Sequence, residues 1–454
     1  MSQEDLHIVI LAAGKGTRMR SKIPKVLHKL AGLSLLEYTL NLSHQSKATS
    51  VTVVLSPDQM EIESLIKTTY PFVQIAFQKN QRGTGDAVLA AKNQLDDLSG
   101  TVLILFADTP LLRLETLQRL STHRQKTSAA ITVLAVDAPN HPGYGRLIID
   151  EKSQVQRIVE MKDATDTERA VPLCNSGLMA CDASLLLSFL ASLTPENQAR
   201  EYYLTDIVQV ARSQGNKVSY IQAEDPSEVM GINTRLDLAK AEEVMQNRLR
   251  KASMLKGVTL LDPSSVYFSY DTKLSEDVVV HPHVYFGIGV RVDSDVTLHS
   301  FSHLEGAYIK SGASVGPFAR LRPDTVLEEK TRVGNFVELK KTRLGKGSKA
   351  NHLSYLGDAE IGEGCNIGAG TITCNYNGYQ KYQTILEKGA FVGSNTTLIA
   401  PITVKEGAYI GAGTVVTKNV TSNALALSRS PQVEREGGAN SLRRRFTQTQ
   451  KKTS

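Results

Sequence analysis

Tryptophan is absent from this 454-residue chain, and its four cysteines, Cys174, Cys181, Cys365 and Cys374, are scattered. No pair has Cys-x2-Cys spacing, which argues against a zinc site and reads as reduced, cytoplasmic thiols. No apolar run approaches the ~20 residues needed to span a bilayer, so no membrane span is expected. The opening MSQEDLH is acidic, unlike the basic start of a signal peptide. Basic stretches lack the interleaved aromatics of a nucleic-acid surface, so no nucleic-acid partner is expected. The net charge of +6 owes part of its excess to SLRRRFTQTQKKTS at the C-terminus, which reads as a solvated tail. What remains is a globular composition, 41% hydrophobic and 22% charged, in a chain long enough for two or three domains.

The stretch HIVILAAGKGTRMRSKIPKVL, His7–Leu27, is the first to carry chemistry. HIVIL is the apolar run of a strand covered on both faces, and Ala12, Ala13, Gly14 and Gly16 then remove side chains where the chain turns. Lys15, Arg18, Arg20, Lys22 and Lys25 follow. A strand, a glycine turn and a basic loop make a phosphate cradle. It is not a P-loop, because Thr17 and Arg18 follow Gly16 where Lys-Ser/Thr is required. It is not a dinucleotide fingerprint, because Met19 stands at the third glycine position. The whole string LAAGKGTRM, with Pro24-Lys25 downstream, resembles the signature of sugar-nucleotide pyrophosphorylases, which are nucleotidyltransferases.

Two periodicities divide the chain. Through about residue 230, strand-like runs (HIVIL, SVTVVL, TVLILF, AAITVLAV) alternate with helical segments such as Leu33–Ser46 and Ala87–Leu98. That alternation predicts a mostly parallel, doubly wound, Rossmann-like α/β sheet over 1–230, with ligands at the C-terminal ends of its strands. Gly14 and Asp108 both fall there. Residues 231–252 read as a connecting helix. From Leu274 apolar residues recur every six positions, through Val280, Phe286, Val292, Leu298 and Leu304. The phase slips by one and resumes at Ile309, Val315, Leu321, Leu327, Val333 and Leu339. Four positions along, the residues are small or β-branched. This hexapeptide repeat predicts a parallel β-helix over 253–454, with Thr373–Thr384 leaving the coil as a loop.

The second half also holds GNFVELKKTRLGKGSKANHLSYLGDAEIGEGCNIGAGTITCNYNG. Together with LAAGKGTRM it resembles, over nearly the whole chain, a family of bifunctional bacterial enzymes. These act as N-acetylglucosamine-1-phosphate uridylyltransferase and glucosamine-1-phosphate acetyltransferase. The resemblance implies a left-handed β-helix and a homotrimer with acetyl-transfer sites between subunits. It implies UTP, glucosamine 1-phosphate, N-acetylglucosamine 1-phosphate and acetyl-CoA as substrates, with Mg²⁺ as cofactor.

Residue by residue, the resemblance places the nucleotide on Leu11, Ala12, Ala13 and Gly14, with Arg18 and Lys25 as the catalytic cations. Gln78, Gly83 and Thr84 face the uracil, and Gly145, Glu160 and Asn175 hold the aminosugar. Asp108 and Asn233 are the metal ligands, with Ala107 where many members have glycine. In the second half His352 is the expected general base, with Glu338 as its partner. Arg322, Lys340 and Lys381 are expected on the sugar phosphate, and Tyr355 and Asn366 on its hydroxyls. Ala369, Ser394, Ala412 and Arg429 match coenzyme-A contacts. Asn375 and Tyr376, in the loop, are expected to reach a neighbouring subunit's site. A scaffold-only β-helix needs the repeat but not this polar cluster, and a sugar-nucleotide sensor needs no intact Arg18, Lys25 and Asp108.

Overall fold

The computed structural model describes residues 4–139, 143–151 and 153–450, with side chains of the last helix described through Thr447. The chain forms two compact units, the first ending at Leu249 and the second beginning at Arg250.

The first unit is built on a nine-stranded sheet. Its strands are β1 (Leu6–Leu11), β2 (Ser50–Leu55), β3 (Val73–Phe77), β4 (Thr101–Phe106), β5 (Ile131–Asp137), β6 (Arg146–Ile149), β7 (Val155–Val159), β8 (Leu173–Asp182) and β9 (Val218–Gln222). Seven run in the order β9-β5-β8-β4-β1-β2-β3, and the hairpin β6-β7 joins at β8. Along that order all pairs are parallel except those of β8, which runs antiparallel to β4 and β5. Residues of β1 alternate between two cores. Ile8 and Ile10 pack with Leu36, Leu40 and Ile62, while Val9 and Leu11 pack with Val88 and Phe189. Each such burial is worth about 1.5–3 kcal/mol, so an apolar run without polar alternation is what a doubly covered strand requires.

The helix Leu35–Gln45 starts on a capping box of Ser34 and Glu37. The segment expected as one helix over Ala87–Leu98 is instead two short ones, Thr84–Leu89 and Lys92–Leu95. The break falls at Ala91, whose backbone leaves the helical region. The long helix begins at Arg235, later than the sequence reading placed it, and ends at Leu255. The Asn233 and Thr234 amides donate to Asp237 Oδ2 at 3.1 and 2.8 Å, which fixes that start and leaves GINT as a loop. Ala241 and Met245 on this helix pack with Leu30, Leu35, Leu111 and Ile232.

The second unit is a left-handed parallel β-helix of short strands. Lys273 pairs with Arg291, Val279 with Thr297 and Tyr285 with His303, so three hexapeptides close one coil. The next coil is a residue shorter, since Arg291 pairs with Tyr308. The missing residue accounts for the slip between Leu304 and Ile309, where Gly306 turns with φ +52°. A Cβ there would meet Pro323 Cα at 2.9 Å, so the shortened corner needs glycine. Val280, Leu298, Val315, Val333, Ala350 and Ile367 form one buried column. The alternate small positions, Val284, Val296, Ala313 and Thr331 among them, are buried as well. Chain leaves the coil between strands Ile372–Cys374 and Thr384–Leu386. Thr373 and Thr384 therefore stay in the coil, and the loop proper is 375–383. The C-terminal tail forms a helix, Gly438–Gln450, with Leu442, Arg443, Arg444, Arg445 and Phe446 exposed. Residues 451–454 lie outside the described residues.

Candidate active sites

β1 and β4 are paired in parallel, with Leu11 opposite Phe106, so the segments after them emerge side by side. Ala12–Gly14 and Asp108 thus share one edge of the sheet. Lys25 Nζ forms an ion pair with Asp108 Oδ2 and lies 3.2 Å from Asn233 Oδ1. Arg18 Nη2 donates to the same Asn233 oxygen at 3.0 Å. The backbone brings Lys25 in closely: a Cβ on Gly16, whose φ is +60°, would meet Lys25 Cβ at 2.4 Å. A Cβ on Gly14 would meet nothing within 4 Å, so the space above it is open. Ala107 is wholly buried in the core and its amide donates to Leu11 O at 3.1 Å. The methyl that replaces the usual hydrogen is therefore absorbed by packing.

These residues border a cavity of about 390 Å³ lined by Leu11, Ala12, Gly14, Lys25, Gln78 and Asp108, with Gly83 and Thr84 also on its wall. Gln81, Phe106 and Glu201 line it too, and the sequence reading missed them. Gln81 stands inside QKNQRGTGDA and donates to Ala13 O at 2.6 Å; its place in that motif was the available signal. Gly83 has φ +118° and lies against the Tyr202 backbone, where a Cβ would come within 2.5 Å.

The three aminosugar candidates are brought together. Asn175 N donates to Gly145 O at 2.8 Å, and a Cβ on Gly145 would stand 3.5 Å from Glu160 Cδ. Burial raises the Glu160 pKa, against the lowering effect of a hydrogen bond from Thr205 Oγ1 at 3.1 Å. Glu160 also borders a cleft of about 640 Å³ with Asp163, Tyr203 and Asp206. Burial, then the charge of Asp163, pushes Asp206 up to about 6.

In the β-helix, His352 Nδ1 lies 2.8 Å from Asn335 Oδ1, one coil earlier. Glu338, expected as the imidazole's partner, is engaged elsewhere: Arg322 Nη1 donates to it at 2.9 Å and Arg320 lies 3.9 Å away. The coil register places Glu338 opposite Tyr355 and Asn335 opposite His352. Lys340 sits beside Lys381, whose like charge lowers the Lys340 pKa, with Arg322 adding to the effect. A Cβ on Gly357 would meet Tyr355 OH at 2.5 Å and Asn375 Nδ2 at 2.8 Å, so that glycine lets the two polar groups converge. Asn375 is buried at the base of the loop and donates to Asp358 of its own chain, whereas Tyr376 is exposed. Asn366 pairs along its strand with Lys349 and Phe391. Backbone bonds Asn395 N to Ala369 O and Gly413 N to Ser394 O join successive coils, and Arg429 Nη1 donates to Ala412 O at 3.1 Å. Ala369, Ser394, Ala412 and Arg429 thus follow one corner of the coil.

A basic glycine turn at a parallel sheet edge and a polar cluster on a hexapeptide coil define a two-headed transferase, one half nucleotidyl and the other acyl. A family model described as a MobA-like NTP transferase domain matches residues 8–171, and one described as a hexapeptide repeat of succinyl-transferase matches residues 383–418. A bifunctional protein GlmU from Azorhizobium caulinodans is 48% identical over 443 residues, covering 98% of both chains. Others from Paramagnetospirillum magneticum and Zymomonas mobilis are 45% and 44% identical, covering 96–98% of each chain. The chain belongs to the bifunctional GlmU family. It is an enzyme with a uridylyltransferase half and an acetyltransferase half.

Proposed function

We propose that the protein makes UDP-N-acetylglucosamine in two steps. Acetyl-CoA first acetylates glucosamine 1-phosphate in the β-helix, and UTP then uridylylates the product in the first unit. The observation that carries the reading is the convergence of Arg18, Lys25, Asp108 and Asn233 beside an open cavity.

In uridylyl transfer the sugar phosphate oxygen attacks the α-phosphorus of UTP, and the bond to pyrophosphate breaks. The nucleophile is already an anion, so positioning and charge neutralisation set the rate rather than a base. The amides around Leu11–Gly14 hold the nucleotide, while Lys25 and Arg18 offset the charge of the triphosphate and the leaving pyrophosphate. Asp108 and Asn233 present two hard oxygens that already surround a cation, the Lys25 ammonium. That donor set suits Mg²⁺, which completes its shell with phosphate and water oxygens. When bound, the ion supplies charge neutralisation at the phosphates. Gly145, Glu160 and Asn175, with Thr205 holding Glu160, clasp the acetylated sugar.

In acetyl transfer the sugar amine attacks the thioester carbonyl, its proton leaves, and coenzyme A departs as the thiolate. With Asn335 Oδ1 accepting, His352 carries its proton on Nδ1 and offers Nε2 as the base. Arg322, Lys340 and Lys381 meet the sugar 1-phosphate, Tyr355 and Asn366 its hydroxyls. The corner from Ala369 to Arg429 takes the coenzyme arm, with Arg429 meeting a coenzyme phosphate.

We also propose a homotrimer joined through the β-helix. Phe301, Phe318 and Phe336 stack up one corner at 5.0 and 5.1 Å, yet each is 45–55% exposed. All three have left-handed backbone, which costs a side-chain-bearing residue about 1–2 kcal/mol. An exposed apolar column held at that cost supports burial against a second copy. Among the described residues no helix is long and apolar enough to cross a membrane, and we place the enzyme in the cytoplasm. The test is product formation from glucosamine 1-phosphate, acetyl-CoA, UTP and Mg²⁺, each omitted in turn. UDP-N-acetylglucosamine should require all four, and its formation without Mg²⁺ or acetyl-CoA would overturn the reading.

A further inference from the structure

Gln78 lies at the wall of the nucleotide cavity, buried except where it meets that space. Its amide nitrogen Nε2 donates to Gly83 O at 3.0 Å and to Asp86 Oδ2 at 2.9 Å. A primary amide has two N–H donors, and both are used here. A backbone carbonyl and a carboxylate only accept, so turning the amide over would set Oε1 against two acceptors. The orientation of Gln78 therefore follows from the chemistry of its partners. Among the described residues nothing donates to Oε1, which is left as an acceptor at the cavity. Asp86 is itself held: Arg82 Nη2 donates to its other oxygen, Oδ1, at 2.8 Å. The Arg82 guanidinium lies over the Tyr202 ring, 5.3 Å from its centroid.

We propose that Asp86 is a positioning residue that sets the choice of pyrimidine through Gln78. By holding the amide with its oxygen toward the cavity, Asp86 makes Gln78 an acceptor for a ring N–H. Uracil offers that hydrogen at N3. Cytosine has a lone pair at N3, so the same pose sets two acceptors against each other. A mismatch of this kind costs about ten- to a hundredfold in kcat/KM. The inference rests on the proposed placement of the base against Gln78, and the experiment separates the two.

The measurement is kcat/KM for UTP and CTP, using the full-length protein with N-acetylglucosamine 1-phosphate and Mg²⁺. Asp86→Asn puts a donor where only an acceptor stood and lets the Gln78 amide turn. It should lower the UTP-to-CTP ratio by about tenfold or more. Asp86→Ala, which removes one of the amide's two acceptors and leaves Gly83 O, should lower the ratio in the same direction but by less. Gln78→Ala should also collapse it. If Gln78→Ala lowers the ratio but both Asp86 variants keep the parent's value, with parent-like melting curves, Asp86 does not orient the amide. If Gln78→Ala keeps the ratio, the base is not read by Gln78 at all, and the underlying placement fails. The parent protein gives a check that needs no variant. It should use 5-methyl-UTP, which keeps N3–H, and discriminate against 3-methyl-UTP, which lacks it. Equal use of the two would overturn the proposal.

Discussion

Lys25 and Asp108 stand 83 residues apart in sequence and meet as an ion pair at one edge of the sheet. They meet because β1 and β4 are neighbouring parallel strands that release both segments at their C-terminal ends. The pair joins a cation proposed for the triphosphate to a carboxylate proposed for the metal. Lys25 therefore marks where a positive charge is stable before any ligand arrives. Asp108→Asn should lower uridylyl turnover by about a hundredfold or more, since one oxygen of a charge clamp is weakened. Lys25→Ala should lower it too, while leaving Asp108 free to bind metal. Titration with Mg²⁺ followed by uridylyl activity checks this: the Asp108 variant should need more metal, and the Lys25 variant should not. An equal rise in metal requirement for both would contradict the division of roles.

His352→Ala should lower acetyl turnover by about 10²–10⁴-fold, the usual contribution of a positioned imidazole, with little change in KM. Asn335→Ala should act in the same direction but more weakly, about tenfold, because it loosens the ring without removing it. A stable His352→Ala protein with near-parent acetylation rules out the base. An Asn335→Ala protein with a parent-like pH profile and rate would show that the amide does not hold the ring.

Lys340 and Lys381 are like charges held side by side, and Lys340 loses its proton more readily as a result. A phosphate between them removes the repulsion. Lys340→Ala should therefore raise the KM for glucosamine 1-phosphate by about tenfold or more, with a smaller change in kcat. The parent's KM should also rise at alkaline pH as Lys340 deprotonates. Steady-state kinetics across that range decide the point, and a KM that stays flat while kcat falls would move Lys340 away from binding.

Asp206 titrates near 6 in the folded protein because burial and Asp163 disfavour its charge. An unfolded aspartate titrates near 3.9. The folded state holds the extra proton between those values, so stability present below ~3.9 is lost as the pH rises through about 6. Asp206→Asn should stabilise the first unit at pH 7 by about 1–2 kcal/mol, a figure reduced for the group's partial exposure, and by much less at pH 4.5. Calorimetric melting at the two pH values tests this. The same gain at both would show that the carboxyl is not shifted.

The β-helix column predicts its own assembly. Light scattering should give a trimer for the full-length protein, and Phe318→Glu should weaken it by placing a charge in the stacked apolar corner. A monodisperse monomer for the parent would overturn the proposed trimer.

The strands of the first unit were legible because doubly covered strands must be continuously apolar: Ser50–Leu55 and Thr101–Phe106 fall where their sequence runs placed them. The hexapeptide coil was legible because each turn needs one apolar residue at a fixed interval. The reversed direction of β8 was not, since a buried antiparallel strand carries the same apolar signal as a parallel one. Nor was the partner of His352. Glu338 and Asn335 both precede it by about one coil, and only the seventeen-residue register selects Asn335. The Gln78–Asp86 contact was hidden for a related reason. Helical spacing brings Asp86 back toward Gly83, but the approach of Gln78 depends on where β3 ends.

Two separable active centres working in sequence on one chain can be tested by mixing variants. Asp108→Ala should acetylate glucosamine 1-phosphate but not uridylylate, and His352→Ala should uridylylate N-acetylglucosamine 1-phosphate but not acetylate. Neither alone should convert glucosamine 1-phosphate, acetyl-CoA, UTP and Mg²⁺ to UDP-N-acetylglucosamine at an appreciable rate. The two mixed should form it after a lag, as the acetylated sugar phosphate passes through solution. A mixture that stays inactive, or single variants that each lose both partial reactions while remaining folded, would contradict the account.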